Sequence, residues 1–267
     1  MPRLDLETMY CTIDGPLARL QLNRPQALNA GNWAWVNDLV TATEYLSQSA
    51  ETRVIIVGGE GRAFCSGLDV KELSQGHLTL EWFAQWEKGV TALSQLDAMT
   101  IAAVQGYCLG GGLQLAIACD LIISSDEATY SIPAVREGVV AALGPMRLAR
   151  MIGISRTKYL CLLGYRFSAE KALELGVVHE VVPYAELNTR VQAIAHELLA
   201  IPFAALKHTK RQINNAFDKD IAALTEDLLV GQVDCLASPE HAAVMETYRQ
   251  EMVERQRQKE AAKKNAL

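Results

Sequence analysis

The chain has 267 residues, half of them hydrophobic and 21% charged, which suits one large globular domain or a domain with an appendage. Its formal net charge of −6 argues against a broad nucleic-acid-binding surface, and no apolar run approaches the ~18 residues that a membrane span requires. The N-terminal segment MPRLDLETMYCTID lacks the apolar core of a signal peptide. Cys11, Cys65, Cys108, Cys119, Cys161 and Cys235 lie far apart without CxxC spacing, so reduced thiols in a cytoplasmic protein are expected. The histidines form no HExxH or Cys/His cluster, and no metal site is expected.

Tyr10 to Leu22 reads as a strand pair turning at Asp14-Gly15-Pro16. Trp33 to Leu46 predicts a helix, with Val36, Leu39, Val40 and Leu46 near helical spacing. Val54 to Val57 is a short apolar run closing on Gly58-Gly59, the pattern of a buried parallel strand. Trp82, Phe83, Trp86, Val90, Leu93 and Leu96 follow a helical stripe. Ile101 to Val104 predicts a second buried strand, followed by a glycine-rich turn, a helix near Leu113 to Ala118 and a third strand at Leu121 to Ile123. Strands alternating with helices point to an α/β architecture.

From about residue 186 the pattern is helical throughout, with Leu187, Val191, Ile194, Ala195, Leu198 and Leu199 on one face. Pro202 is expected to restart the chain in a new helix, and residues 221–252 in two more. The division expected is therefore an α/β core over residues 1–199 and a helical module over residues 200–267. The tail carries Arg255, Arg257, Lys259, Lys263 and Lys264 against Glu254 and Glu260, which reads as a solvated helix end. No internal sequence repeat is visible.

Twice a strand runs into a glycine-rich loop and then a helix, a common way to present backbone N–H groups to negative charge. The first loop is GGEGRAFCSGLDVKEL (58–73) and the second QGYCLGGGLQLAIACDL (105–121). Neither is a dinucleotide fingerprint, since Phe64 stands where the third glycine belongs, and neither contains a GxxxxGK[ST] phosphate loop. Nor is Ser66 a nucleophile elbow, because Leu68 stands two positions after it where Gly-x-Ser-x-Gly requires a glycine. Tight turns between packed elements would give the same composition.

The strings LNRPQALNA (22–30), AFCSGLDVKEL (63–73) and AAVQGYCLGGGLQLAIACDL (102–121) are similar to three ordered signatures of the crotonase (enoyl-CoA hydratase/isomerase) superfamily. The resemblance continues through TYSIPAVREGVV (129–140), ALELGVVHEVVP (172–183) and KRQIN (210–214), so it spans nearly the whole chain. It implies a crotonase/ClpP-like spiral of ββα units with a C-terminal helical module that self-associates as a homotrimer or hexamer. It also implies an acyl-CoA substrate, with no cofactor beyond coenzyme A as part of that substrate, and no nucleic-acid or membrane partner. The oxyanion-hole donors implied are the backbone N–H groups of Leu68 and Gly111. Substrate contacts are implied for Arg24, Gln26, Ser66, Asp69, Val70, Lys71 and Ala134, with Gln26 in place of a common lysine.

The chain departs from the family where proton transfer is done. Hydratases use two glutamates, and the matching positions here are Gln114 and Ala134. Glutamine exchanges no proton at neutral pH but can orient a water or a carbonyl, while alanine has nothing to exchange. Glu137 is a candidate acid or base, since a helical segment would set it on the same face as Ala134. Asp69 and Glu72 read more simply as caps of the short helix that follows them, and Asp120 as structural. Trp82, Phe83 and Trp86 occupy the region that covers the acyl end in relatives. Three functions stay open: a hydratase/isomerase-group enzyme with atypical acid–base residues, a decarboxylase or carbon–carbon lyase acting on a CoA thioester, and a catalytically reduced acyl-CoA-binding subunit.

Overall fold

The computed structural model describes residues 2–265, with side chains described through residue 259. Glu260, Lys263 and Lys264 of the basic tail thus lie outside the described side chains. The chain divides into two compact units, Met1–Leu199 and Ala200–Leu267.

In the first unit, β1 (Arg3–Asp5), β2 (Met9–Asp14) and β3 (Leu17–Leu22) form an antiparallel meander, with Gly15 at φ +54° turning β2 into β3. Alternate residues of β2 and β3 are buried, so one face of the meander is core. Then come α1 (Trp33–Ser47), β4 (Val54–Gly59), β5 (Ala63–Cys65), α2 (Val70–Ser74) and α3 (Leu80–Ser94). They are followed by β6 (Met99–Val104), β7 (Tyr107–Leu109), α4 (Gly111–Ile117), β8 (Leu121–Ser125) and β9 (Thr129–Ser131). A 3₁₀ turn at Ala134–Glu137, α5 (Gly144–Ile152), α6 (Ile154–Leu163), β10 (Phe167–Ser168), α7 (Ala169–Leu175), β11 (Glu180–Val182) and α8 (Leu187–Leu199) complete the unit.

The strands sort into two sheets. One has the order β1-β2-β3-β4-β6-β8-β11, parallel from β3 onward, with every residue of the central β4 buried. The other has the order β10-β9-β7-β5, in which β5, β7 and β9 run parallel. Each of β4, β6 and β8 in the first sheet is followed by a short strand of the second and then by a helical segment. Three such units, β4–β5, β6–β7 and β8–β9, advance one strand per turn in both sheets. This is the crotonase-type spiral of ββα units, a structural repeat that the sequence does not repeat. Its core gathers Leu20, Leu22, Trp35, Leu39, Ile55, Phe64, Trp82 and Leu93.

In the second unit, Pro202 precedes α9 (Phe203–Asn215), which packs on α10 (Ile221–Ala237), and α11 (Pro239–Asn265) follows. His208 and Lys207 both meet the Asp234 carboxylate, at 2.8 and 2.9 Å. Ile213, Phe217, Ile221, Val230 and Val233 remain exposed. No helix among the described residues is long and apolar enough to cross a membrane.

Candidate active site

Each turn of the spiral contributes one piece of the site, always at the end of its short strand. After β5 the chain passes through Ser66-Gly67-Leu68, and Gly31 brackets this loop: its N–H donates to Gly67 O (2.7 Å), and its carbonyl accepts from Asp69 N–H (2.9 Å). The Leu68 N–H between them donates to nothing among the described residues. Gly67 takes φ +98°, a conformation that glycine adopts without penalty. A β-carbon there would lie 2.8 Å from Leu109 O, so the two glycine loops touch backbone to backbone.

After β7, Gly110 N–H donates to Ser131 O (2.8 Å), and Gly111 is the first residue of α4. The opening N–H groups of a helix have no partner within it, and the Gly111 N–H finds none elsewhere among the described residues. Leu68 and Gly111 therefore present two unengaged donors from adjoining loops, at the start of a helix whose dipole favours negative charge.

Both donors border a small apolar cavity. Trp82, Phe83 and Trp86 form one wall and Val139 to Ala142 another. Gln114 also lines it; the residue is buried, its Oε1 has no partner among the described residues, and Gly144 packs against its Cγ. Ala134 and Glu137 line the cavity from the third turn of the spiral. They begin and end the 3₁₀ turn, where residues three apart eclipse one another. Glu137 is the one carboxylate among the described lining residues. Glu137 is exposed at the cavity rim, and the partial loss of solvent around its carboxylate raises its pKa above the ordinary glutamate value. Arg136 does not neutralise it: that guanidinium donates to Leu163 O (2.7 Å) and lies over the Tyr165 ring.

A larger, more open groove adjoins the cavity and shares Ser66, Leu68, Pro133 and Glu137 with it. Gln26, Asp69, Val70 and Lys71 line the groove, with Arg62, Arg136 and Arg166. Its cations suit phosphates. Burial pushes the Cys65 thiol, one residue before Ser66, up to about 12, so it is no thiolate nucleophile at neutral pH. Among the described residues no group of three or more His, Cys, Asp or Glu is placed to hold a metal ion.

Residues 12–258 match the model of the enoyl-CoA hydratase/isomerase family. The chain belongs to this family. The probable enoyl-CoA hydratase echA8 of Mycobacterium tuberculosis is 36% identical over 228 residues, covering 84% of this chain and 86% of that protein. Among solved structures, enoyl-CoA hydratase subunit I of Geobacillus kaustophilus is 31% identical with a TM-score of 0.84, over 92% of this chain and 96% of that one. A Thermobifida fusca relative of enoyl-CoA hydratases, in complex with acetoacetyl-CoA, is 30% identical with a TM-score of 0.78, over 86% and 95% of the two chains.

Within this hydratase/isomerase fold, the residues singled out from sequence fall into three places. Leu68, Gly111, Gln114, Ala134, Glu137 and Ser66 converge on the cavity, and Gln26, Asp69, Val70 and Lys71 on the groove. Arg24 lines neither. Its guanidinium donates to Ala30 O (2.6 Å) and to Asp69 Oδ2 (3.2 Å). Asp69 in turn caps α2, accepting from Lys71 N–H and Glu72 N–H, and Glu72 faces His77. Asp120 accepts from the Thr100 N–H and hydroxyl, joining the end of α4 to β6. Two groove arginines escaped the sequence reading. Arg62 sits inside the first glycine-rich string and was discoverable there as an extra cation, whereas Arg166 carries no local motif.

Proposed function

We propose that this protein is an acyl-CoA-processing enzyme of the hydratase/isomerase group that stabilises a thioester enolate between the Leu68 and Gly111 amides. The observation that carries this reading is the pair of unengaged N–H donors set where the apolar cavity meets the cation-lined groove. The groove would hold the CoA phosphates near Lys71, Arg62 and Arg166, and the cavity the acyl chain. The thioester oxygen would then accept from both amides, and charge developing on it during enolate formation would be held by donors already oriented for it.

Proton transfer in this reading falls to Glu137, the carboxylate that lines the acyl cavity. Removal of a proton from the acyl chain gives the enolate, and return of that proton to another carbon moves the double bond. Although Glu137 is exposed, partial desolvation at the cavity rim raises its pKa above the ordinary glutamate value, the direction that favours a general base. Gln114 and Ala134 leave ordinary two-carboxylate hydration without its usual pair.

The neutrality of those same two positions favours a second reading, a decarboxylase or carbon–carbon lyase. Loss of carbon dioxide generates the enolate with no base at all, and neither Gln114 nor Ala134 would repel an acidic acyl group. Crotonyl-CoA, a 3-enoyl-CoA and a malonyl-type CoA, each incubated with purified protein and followed by mass and absorbance, separate these outcomes. A conjugated product of unchanged mass supports isomerisation, and loss of carbon dioxide supports the second reading. Rapid addition of water to crotonyl-CoA would defeat the assignment of Gln114 and Ala134 as disabling. A bound ester turned over in none of the three would mark a catalytically reduced binding subunit.

We further infer self-association of the second unit, supported by the exposed apolar side chains of α9 and α10. Light scattering distinguishes the trimer or hexamer implied by the family resemblance from a monomer. That no disulfide joins the cysteines of the described residues, five of them buried, supports a reducing, cytoplasmic setting.

A further inference from the structure

Trp86 occupies a place in this site that its helical stripe does not explain. Its indole is buried and stacks on Trp35, ring centroids 4.5 Å apart and nearly parallel. One edge of its benzo ring abuts Gly31, where a β-carbon would lie 2.5 Å from Trp86 Cζ3. Another edge abuts Gly111, where a β-carbon would collide with Cζ2 and lie 2.5 Å from Cη2. Gly31 is the residue whose N–H and carbonyl bracket Leu68, and Gly111 carries the second donor itself. The benzo ring is therefore wedged between the backbone holding one candidate oxyanion donor and the backbone that is the other.

The chemistry of the side chain agrees. Trp86 Nε1 is buried without a partner among the described residues, and an unpartnered buried donor is unfavourable. Leucine or phenylalanine would fill core without that donor. What tryptophan adds is the reach and rigid breadth of a fused ring.

We propose that Trp86 is the positioning residue of the oxyanion hole, its benzo ring acting as the spacer that sets the separation of the Leu68 and Gly111 amides. This rests on the reading of those amides as the thioester-oxygen donors. Trp86→Phe withdraws the second ring, so the two loops lose their spacer while the stack on Trp35 keeps an aromatic partner. Trp35→Phe is the control, because Trp35 lines neither cavity and is not among the nearest atoms that a β-carbon on Gly31 or Gly111 would meet.

The test reads the thioester carbonyl itself. A conjugated enoyl-CoA is bound to each protein, and the fall in its carbonyl stretching frequency on binding, with the matching red shift of its absorbance, is recorded. Wild-type protein and Trp35→Phe should polarise the carbonyl; Trp86→Phe should lose most of that shift while still binding the ester. Its turnover should fall ~10- to 100-fold, mainly in kcat, because binding outside the hole persists. Gly31→Ala should be harmful alone and less harmful in the Trp86→Phe background, where the added methyl enters vacated space. Absence of a carbonyl shift in wild-type protein would overturn the oxyanion reading and the spacer with it. A wild-type shift that survives Trp86→Phe unchanged, or strict additivity with Gly31→Ala, would overturn the spacer alone.

Discussion

Gly67 and Gly111 come together so closely that a β-carbon on Gly67 would stand 3.1 Å from the Gly111 nitrogen. Two loops more than 40 residues apart in the chain thus share one small volume, and a methyl group there pushes directly on a candidate donor. Gly67→Ala would also strain a backbone held at φ +98°. Loss of a single oxyanion donor typically costs ~2.7 to 4 kcal/mol of transition-state stabilisation. Steady-state kinetics of Gly67→Ala should therefore show kcat reduced by ~100-fold or more, and a near-normal kcat would remove Leu68 and Gly111 from the mechanism.

Glu137 should impose a pH limb on turnover. Partial desolvation of this exposed side chain disfavours its ionised form, so its pKa lies above the ordinary glutamate value, and the base is active only above that raised pKa. Activity should fall as pH drops through it. Glu137→Gln should abolish the limb and lower kcat by ~10²- to 10⁴-fold, the usual worth of a general base. A pH–rate profile unchanged by the substitution would exclude Glu137.

Arg24 and Lys71 should behave as different kinds of residue despite their shared charge. Arg24 and Asp69 form a mostly buried pair that ties the loop before α1 to the cap of α2. Arg24→Ala should lower stability to denaturant by ~1 to 3 kcal/mol, the cost of leaving charged hydrogen-bonding groups unpaired, with a small change in CoA-ester affinity. Lys71→Ala should leave stability nearly untouched and weaken CoA-ester binding in a salt-dependent way. Binding titrations at two ionic strengths, set beside urea unfolding, check both.

Restoring the missing carboxylates should restore the missing chemistry. Gln114→Glu together with Ala134→Glu should yield measurable hydration of crotonyl-CoA, whereas each substitution alone should yield far less, since hydration needs both an activated water and a proton donor. The double variant should also be less stable than wild type, because both positions are buried and position 114 is hemmed in by Gly144. Equal hydration by wild-type protein would show that the chain uses another pair of groups.

Much of this was legible in the chain because apolar periodicity reports burial directly. The runs at β4, β6 and β8 and the stripe of α3 announce buried elements, and the glycine strings announce the donor loops. The second sheet was not legible, since β5, β7 and β9 are three residues each and β10 two, too short for any period. Arg24 sits elsewhere than expected for another reason. The family resemblance implies a substrate contact for it, whereas its side chain is engaged with Asp69, 45 residues on, a pairing that only the fold creates. For Trp86 the stripe predicts burial correctly and says nothing of the two glycines that its ring separates.

The order of assembly has a consequence for the protein during its synthesis. Leu68, Gly111 and Glu137 follow the short strands of three successive turns of the spiral, and the far wall of the cavity is built from residues 139–142. A ribosome-bound chain that has emerged through the second turn owns both amides but has neither the carboxylate nor an enclosed chamber for them to act on. The donors are drawn into register by neighbours in a parallel sheet whose third strand has yet to arrive. On the proposed base-dependent reading, half-made copies would be unable to act on thioesters, and the first turnover would double as a certificate that the spiral has closed.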